Sequence, residues 1–198
     1  MSIKINFDLL WKDSVEYRIQ QKKKEWISFL SLLTSNKPLV SLEIGAKYGG
    51  TALGLIKLTR SGGHVISIDP IPPRVSSLKK ERRRVKYSFF QGSSCDPHVI
   101  ERVVAYAPFD VLFIDGEHYG DAPTNDFKNF LPYMNPLGIV GFHDIIGKEA
   151  VSNIWNRIKL ACPGAVLELV STPHDKNGIG VLFLGKTNIS SLCATIIV

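Results

Sequence analysis

Four apolar stretches of the chain each carry an acidic residue at or near the C-terminal end. The four acids are Glu43, Asp69, Asp115 and Asp144. A carboxylate beside such a buried run is costly unless something pairs with it, and ligands of open parallel sheets bind at the C-terminal ends of the strands. Four acids at that edge predict a site for a cationic or hydroxyl-rich ligand, with or without a metal ion. They argue against a phosphate ligand.

The elements that position these acids alternate between strand and helix from Leu39 onward, which indicates a doubly wound parallel sheet with helices on both faces. Residues 172–177 are too few to hold a helical crossover between the last two strands, so we expect an antiparallel hairpin at one sheet edge. The predicted fold is therefore α/β and Rossmann-like, with seven mostly parallel strands and an antiparallel last strand. The predicted strands are Leu39–Gly45, Val65–Asp69, Val85–Gln91, Phe109–Asp115, Gly138–His143, Ala165–Ser171 and Gly178–Leu184.

The N-terminal region shows a helical pattern from Trp11 to Leu33, with Val15 and Trp26 on its apolar face, and Ser35–Pro38 ends it. We divide the chain into a helical segment, residues 1–37, packed on a main domain of residues 38–198. At 198 residues the chain suits one globular domain. No apolar run approaches the length of a membrane span and no signal peptide is evident, so a cytoplasmic location is expected.

The formal net charge of +6 raises the question of a nucleic-acid partner. Two basic runs stand out, Lys79–Arg84 and Lys22–Lys24, and neither is interleaved with aromatic residues for base stacking. We interpret both as solvated helix faces. Nucleic acid and membrane are not expected partners, whereas the oligomeric state stays open, a homo-oligomer included.

The loop Glu43–Gly50 joins a strand to a helix through several glycines, which can let a ligand approach the backbone closely. Glu43 stands where a dinucleotide fingerprint has its first glycine, and it favours an ammonium, a sulfonium or a hydroxyl over a pyrophosphate. The alternative is a tight turn with no ligand. Asp69 can accept hydrogen bonds from a ribose diol, or it can simply form the turn before Pro70.

These features together resemble the class I S-adenosylmethionine-dependent methyltransferases, over almost the whole stretch from Pro38 to Leu184. The resemblance implies S-adenosyl-L-methionine as cofactor, with Glu43 and Gly45 at its methionine part, Asp69 at the ribose and Ser93 or Ser94 at the adenine. The full set of cofactor-binding residues that we expect is Glu43, Gly45, Tyr48, Gly49, Asp69, Gly92, Ser93, Ser94 and Asp115.

A closer resemblance lies in residues 113–119 (FIDGEHY), 126–132 (DFKNFLP) and 138–145 (GIVGFHDI), which look like methyltransferase family 24 and the related metal-dependent sugar O-methyltransferases. It implies a divalent cation, Mg²⁺ or Mn²⁺, bound by Asp115, His143 and Asp144. Independently, the ends of neighbouring strands lie about 5 Å apart, and two carboxylates that close share a cation readily. The alternative is that both acids line the cleft without a metal.

His118 follows Asp115 by three residues, and a histidine in this loop could accept the hydroxyl proton, since the histidine side chain is the usual general base near neutral pH. We predict His118 and Asp115 as catalytic residues, although His118 could also be an ordinary surface-loop residue. The expected reaction is methyl transfer to a hydroxyl of a sugar or another polyhydroxylated small molecule. The alternatives are a cofactor-binding or accessory protein of a glycan-modifying pathway without catalysis, and an RNA methyltransferase that uses the basic run.

Overall fold

The structure is a computed structural model that describes residues 5–73, 84–172, 174, 176–187 and 192. Within these residues seven strands form one sheet, surrounded by helices. The strands are β1 (Val40–Ile44), β2 (His64–Asp69), β3 (Lys86–Gln91), β4 (Phe109–Ile114), β5 (Met134–His143), β6 (Val166–Leu169) and β7 (Ile179–Phe183). The helices are α1 (Phe7–Glu16), α2 (Lys23–Asn36), α3 (Gly50–Leu58), α4 (Pro97–Val104), α5 (Ala122–Phe130) and α6 (Glu149–Ala161).

The strand order across the sheet is β3-β2-β1-β4-β5-β7-β6. Strands β1 to β5 run parallel, and β7 pairs antiparallel with both β5 and β6. The predicted fold class and the closing antiparallel hairpin are confirmed. The hairpin folds back so that its second strand, β7, lies against β5 while β6 forms the outer edge.

The single N-terminal helix predicted from Trp11 to Leu33 is wrong, because the chain leaves the helix between α1 and α2. We call residues Tyr17–Lys22 the connector. Arg18 takes a left-handed backbone conformation with φ of 53°, and its N–H and that of Ile19 bond to the last carbonyls of α1. Such a left-handed residue is a common helix terminator. As a consequence Val15, which the helical pattern placed on the apolar face, is half exposed.

Both faces of the sheet carry a hydrophobic core. On one face α1, α2 and α3 pack on the sheet around stacked Trp26 and Phe29, whose ring centroids are 5.6 Å apart. On the other face α4, α5 and α6 surround Phe142 and Trp155. Each of these side chains is completely or almost completely buried, which contributes roughly 1.5–3 kcal/mol apiece to the free energy of unfolding. The two layers hold the strand ends in fixed positions.

The register of the parallel strands brings the polar strand ends into one row. Ile68, Ile44, Ile114 and Phe142 lie side by side across β2, β1, β4 and β5. The residues one step further along these strands are therefore neighbours at the C-terminal edge, and they are Asp69, Gly45, Asp115 and His143. Two loops and the connector close over this edge.

Two sequence predictions concern membrane-spanning helices and the basic runs. Among the described residues no helix combines the length and apolar character that crossing a bilayer requires. Most of the basic run Lys79–Arg84 falls in residues 74–83, outside the described residues. In the other run, Lys23 is exposed and its Nζ lies 2.8 Å from Asp8 Oδ1, as expected for a solvated helix start.

Candidate active site

A cleft of about 500 Å³ lies at the C-terminal ends of β1, β2 and β4. Seven of the nine side chains or glycines that we expected to bind the cofactor line it, namely Gly45, Tyr48, Asp69, Gly92, Ser93, Ser94 and Asp115. Glu43 and Gly49 are not among its lining residues. Three residues of the strand-end row, Asp69, Gly45 and Asp115, thus form one wall of a single cleft.

Glu43 lies beneath the cleft rather than in its wall. Its side chain is fully buried and accepts hydrogen bonds from the hydroxyl groups of Thr51 and Ser67, the latter at 2.6 Å. Burial raises the pKa of Glu43 to about 7, because the two hydroxyl bonds offset only part of the desolvation. The predicted direct contact of Glu43 with a cofactor has no support in this geometry. The acid instead ties α3 to β2 under the glycine loop.

The glycines of this loop are required by neighbouring protein atoms. A Cβ on Gly45, whose φ is 92°, would lie 2.0 Å from the carbonyl oxygen of Asp115. A Cβ on Gly50 would lie 2.8 Å from Cα of Ile19 in the connector. The tight-turn alternative therefore accounts for both glycines, while Gly45 also lines the cleft.

Asp69 fills the turn role and still faces the cleft. Its Oδ1 accepts a hydrogen bond from the N–H of Ile71 at 2.7 Å, and its Oδ2 accepts one from the N–H of Lys47 at 2.8 Å. A carboxylate oxygen has two acceptor sites, so each oxygen keeps one for a ligand. The turn that Asp69 forms holds the carboxylate in place at the cleft wall.

Asp126 belongs to the motif of residues 126–132, but no role at the site was predicted for it from the sequence. It is buried in α5, and its Oδ1 accepts a hydrogen bond from Ser94 Oγ at 2.5 Å. Burial raises the pKa of Asp126 to about 6, against the lowering effect of that bond. The same contact turns the Ser94 hydroxyl toward α5, and Asn129 donates to the Ser94 carbonyl at 3.2 Å. Asp126 therefore anchors the loop after β3.

Two acids and two histidines gather beside this cleft, at the ends of β4 and β5. His143 Nδ1 lies 3.0 Å from Asp115 Oδ1 and 3.4 Å from Asp144 Oδ1. His118 Nε2 lies 3.4 Å from Asp115 Oδ1 and 3.6 Å from Asp144 Oδ2. All four residues predicted as catalytic or metal-binding are therefore brought together. We call Asp115, His118, His143 and Asp144 the acid–histidine cluster.

The carboxylates of the cluster are oriented by amide groups from distant parts of the chain. Gln21 Nε2, in the connector, donates to Asp115 Oδ2 at 2.5 Å. Asn177 Nδ2, just before β7, donates to Asp144 Oδ1 at 2.5 Å. Asp144 itself has a left-handed φ of 60°, an uncommon conformation for this residue type that is frequent at functional sites. The remaining oxygen of Asp115 is left facing both histidines, and that of Asp144 is left facing His118.

The charges within the cluster support one another. Burial by itself would raise the pKa of Asp115, but the charge of His143 and the close approach of the two imidazoles lower it below its ordinary range. Burial would likewise lower the pKa of His143, yet Asp115, and then Asp144 and Glu25, raise it above its ordinary value. The pair therefore favours an ionised Asp115 and a protonated His143 in the metal-free protein.

The donor set of the cluster fits a divalent metal ion. One ligand atom from each of Asp115, His118 and Asp144 lies within 4.8 Å of the others. Neighbouring ligands of an octahedral ion with bonds of about 2.1 Å are about 3 Å apart, close to the 3.0–3.6 Å separations of the cluster. His118 Nε2 is buried without a hydrogen-bond partner in the described part of the chain. Two carboxylates and an imidazole suit Mn²⁺ or a related ion.

A second cleft, of about 550 Å³, adjoins the first on the side of α6. His118 belongs to the lining of both clefts. The second cleft is lined mostly by polar side chains and by one exposed aromatic ring, that of Tyr119. The polar residues include Asp121, Lys148, Glu149 and Asn153. The arrangement brings a histidine to the junction of two separate binding spaces.

The connector is the part of the site that the sequence analysis missed. Arg18, Ile19, Gln20 and Gln21 all line the first cleft. The helical pattern runs across these residues and conceals the break. A run of polar residues from Arg18 to Lys24, interrupted only by Ile19, was the one sequence signal for it.

Comparison with known proteins supports this architecture. Among solved structures, the chain is similar to that of the O-methyltransferase from Bacillus cereus in complex with SAH. The identity is 16% and the TM-score 0.64, over 91% of this chain and 92% of that one. It is also similar to MycE methyltransferase from the mycinamycin biosynthetic pathway in complex with Mg, SAH and mycinamycin VI, at 18% identity and a TM-score of 0.66 over 93% of this chain and 56% of that one. At such low identities the structural similarity shows a shared fold and nothing more.

One curated relative, the uncharacterized protein y4gI of Sinorhizobium fredii, is 33% identical over 78 residues. The match covers 39% of this chain and only 8% of that much longer protein. A family model described as "Methyltransferase domain", that of methyltransferase family 24, matches residues 42–145. Because this match covers more than half of the chain and includes the whole acid–histidine cluster, the protein belongs to methyltransferase family 24.

Proposed function

We propose that the protein transfers a methyl group from S-adenosyl-L-methionine to a hydroxyl oxygen of a sugar or another polyhydroxylated small molecule, with a divalent metal ion. The observation that carries this proposal is the position of His118. It lies at the junction of two clefts and within 3.4–3.6 Å of two carboxylates. A proton acceptor, a cation site and two binding spaces thus meet at one point.

The first cleft suits the methyl donor, which supplies an electrophilic methyl carbon on a sulfonium. Both MycE and the Bacillus cereus O-methyltransferase were solved in complex with SAH. Asp69 has acceptor sites left for ribose hydroxyls, and Asp115 brings negative charge to the wall beneath the reacting end. Acidic walls favour a cationic ligand over an anionic one such as NAD.

Asp115, His143 and Asp144 would hold the metal ion, which would bind the acceptor oxygen and lower its pKa. We assign His143 to the ion because its Nδ1 is nearer to both acids, at 3.0 and 3.4 Å, than His118 Nε2 is. His143 also lines neither cleft, so it is not placed to contact the acceptor. Gln21 and Asn177 would keep the two carboxylates turned toward the ion.

His118 would act as the general base. It is the cluster histidine that both clefts share, so an acceptor in the second cleft can present its hydroxyl to this imidazole. Proton removal by a positioned imidazole contributes roughly 10²–10⁴-fold to such reactions. Asp115 would orient His118 as well as the ion, which accounts for its place among the catalytic residues.

The second cleft favours a hydroxyl-rich acceptor. It offers hydroxyl groups both hydrogen-bond acceptors and donors: the carboxylates of Asp121 and Glu149, the ammonium of Lys148 and the amide of Asn153. Tyr119 is 72% exposed at its edge, and Lys148 Nζ lies over its ring, 5.8 Å from the centroid, so a sugar can stack on the face away from Lys148. Such a mixture suits a sugar better than a large apolar substrate.

Titration calorimetry with S-adenosylhomocysteine, run beside NAD, tests the cofactor. We expect binding of S-adenosylhomocysteine and no measurable binding of NAD, because pyrophosphate would face the acidic wall. Tight NAD binding without S-adenosylhomocysteine binding would overturn the proposal.

A screen of sugar and polyol acceptors with methyl-labelled cofactor, at 1 mM Mg²⁺ or Mn²⁺ and again in excess EDTA, tests the reaction. We expect label in a sugar acceptor and loss of turnover in EDTA, restored by added metal. Full activity in EDTA would remove the ion from the mechanism and leave Asp115 and Asp144 as cleft-lining carboxylates. Cofactor binding with no turnover on any acceptor would favour a non-catalytic protein.

A further inference from the structure

The connector is held against the first cleft by contacts of three consecutive residues. Ile19 packs against the backbone of Gly50, where a Cβ would be only 2.8 Å away. Lys47 Nζ donates to Gln20 Oε1 at 2.6 Å. Gln21, the next residue, is 5% exposed and lines the cleft. The connector is therefore a built part of the cleft wall, although it lies outside the region that the family model matches.

The side-chain amide of Gln21 has only one orientation that suits Asp115. Asp115 Oδ2 belongs to a carboxylate and can only accept, so the amide nitrogen must face it, at 2.5 Å. That orientation turns Gln21 Oε1 away from Asp115. This oxygen is buried and has no hydrogen-bond partner within the described ranges. An acceptor left unpaired in a buried place is costly, and a ligand in the cleft can supply its donor.

The position of Gln21 decides which donor that is. Across the sheet the order of strands is β3, β2, β1, β4, so Asp69 lies toward the β3 end of the first cleft, where Gly92–Ser94 also line it, and Asp115 lies at the β4 end. Asp69 is at the end proposed for the ribose, and Gln21 is at the other. The donors of an S-adenosylmethionine molecule bound in this direction are the adenine amino group and the ribose hydroxyls toward the Asp69 end, and the ammonium group of the amino-acid tail at the Gln21 end.

We infer that Gln21 is a cofactor-binding residue whose Oε1 accepts a hydrogen bond from the ammonium group of the amino-acid tail, while its amide nitrogen holds Asp115. This inference rests on the proposed function. It makes the N-terminal segment part of the methyl-donor site, and it adds a neutral acceptor to a cleft that already carries the carboxylates of Asp69 and Asp115.

Calorimetry on the full chain with three ligands isolates this contact. The ligands are S-adenosylhomocysteine, its decarboxylated analogue, which keeps the amine, and 5′-methylthioadenosine, which lacks the whole amino-acid tail. The variants are Gln21→Met, which keeps the volume without an acceptor oxygen, and Gln21→Ala. Glu16→Gln, on the exposed end of α1, is the control in the same segment. Circular dichroism melts establish that each variant folds.

We expect both Gln21 variants to bind S-adenosylhomocysteine and its decarboxylated analogue about 10- to 100-fold more weakly, as for a lost hydrogen bond to a charged donor. We expect their affinity for 5′-methylthioadenosine to stay within about twofold of the wild type. Equal weakening for all three ligands, or unchanged affinity for S-adenosylhomocysteine, would overturn the inference alone. A wild-type protein that does not bind S-adenosylhomocysteine would overturn the proposed function together with it.

Discussion

Glu43 and Asp115 are two acids at the ends of neighbouring parallel strands, and their environments shift their pKa values in opposite directions. Glu43 is fully buried, its partners are two hydroxyl groups, and its pKa rises to about 7. Asp115 is also largely buried, but its partners are two imidazoles and an amide, and its pKa falls below the ordinary range.

The difference shows that the type of partner, rather than burial, decides which acid can serve as a charged ligand. Hydroxyl groups donate one hydrogen bond each and carry no charge, so they offset desolvation only in part. Imidazoles can take up a compensating charge, and that of His118 also lines the cleft. Glu43 therefore works as a structural tie, whereas Asp115 is suited to hold a cation.

The largest expected effect comes from removing the charge of Asp115. Asp115→Asn keeps the shape of the side chain but takes away half of the carboxylate charge that would bind the ion. We expect metal-dependent methyl transfer to fall by about 10³-fold or more, while the fold and S-adenosylhomocysteine binding largely survive. Steady-state kinetics with Mn²⁺ titration measures this. Asp13→Asn, on α1, is the matched control, and an active Asp115→Asn protein would contradict the assigned role.

The next effect separates the two cluster histidines. His118→Ala should lower kcat by about 10²–10⁴-fold and leave the Kd for Mn²⁺ nearly unchanged, because in our assignment this imidazole moves a proton and does not bind the ion. Paramagnetic resonance of free Mn²⁺ measures the affinity, with exposed His98→Ala as the control. A large loss of Mn²⁺ affinity would instead make His118 the imidazole ligand, since its Nε2 lies in the same cluster.

Glu43 offers a stability effect with a defined pH window. Its folded-state pKa of about 7 lies above the ordinary 4.5. The stability that depends on a protonated Glu43 is therefore fully present below pH 4.5, and it is lost as the pH rises through 7. The loss approaches about 3 kcal/mol. Glu43→Gln cannot ionise, so its free energy of unfolding relative to wild type should rise by up to about that amount from pH 5 to pH 9.

Urea unfolding of both proteins at several pH values measures the Glu43 effect. Glu101→Gln, exposed on α4, should show no such pH dependence relative to wild type. A difference between Glu43→Gln and wild type that stays constant with pH would mean that Glu43 titrates like an exposed acid.

The smallest expected effect comes from removing one of the two hydroxyl groups that donate to Glu43. Ser67→Ala removes the bond that Ser67 Oγ donates to Glu43 Oε2 at 2.6 Å, and that bond lowers the pKa of Glu43. We expect the free energy of unfolding to fall by about 1–3 kcal/mol at pH 9 and by less at pH 5, where the acid is neutral. Chemical unfolding at the two pH values tests this, with exposed Ser31→Ala as the control.

Much of the fold and part of the site follow from local patterns. Apolar runs of strand length that alternate with helical stretches predicted the parallel sheet, and the acids closing those runs predicted that Asp69 and Asp115 would meet at one edge. Both expectations are confirmed by the register of β2, β1 and β4. The roles of the site residues stay predictions until the experiments above are done.

Other features could not be found in this way. The break between α1 and α2 is one example, because the helical apolar pattern continues through it and only the docking of Ile19 on Gly50 favours it. Glu43 is another, since its place beneath the cleft depends on Thr51 and Ser67 reaching it from α3 and β2. The glycines of the loop suggested a ligand, yet their immediate neighbours are protein backbone.

The sequence by itself determined the alternation of strands and helices and the chemistry placed at the strand ends, because side-chain periodicity acts over a few residues and needs no distant partner. Only the tertiary structure decided which polar groups pair with those ends. Gln21 reaches Asp115 across 94 positions of the chain, and Asn177 reaches Asp144 across 33. Such pairs form because the packing of whole helices and strands on the sheet brings them together, and no local pattern encodes that packing.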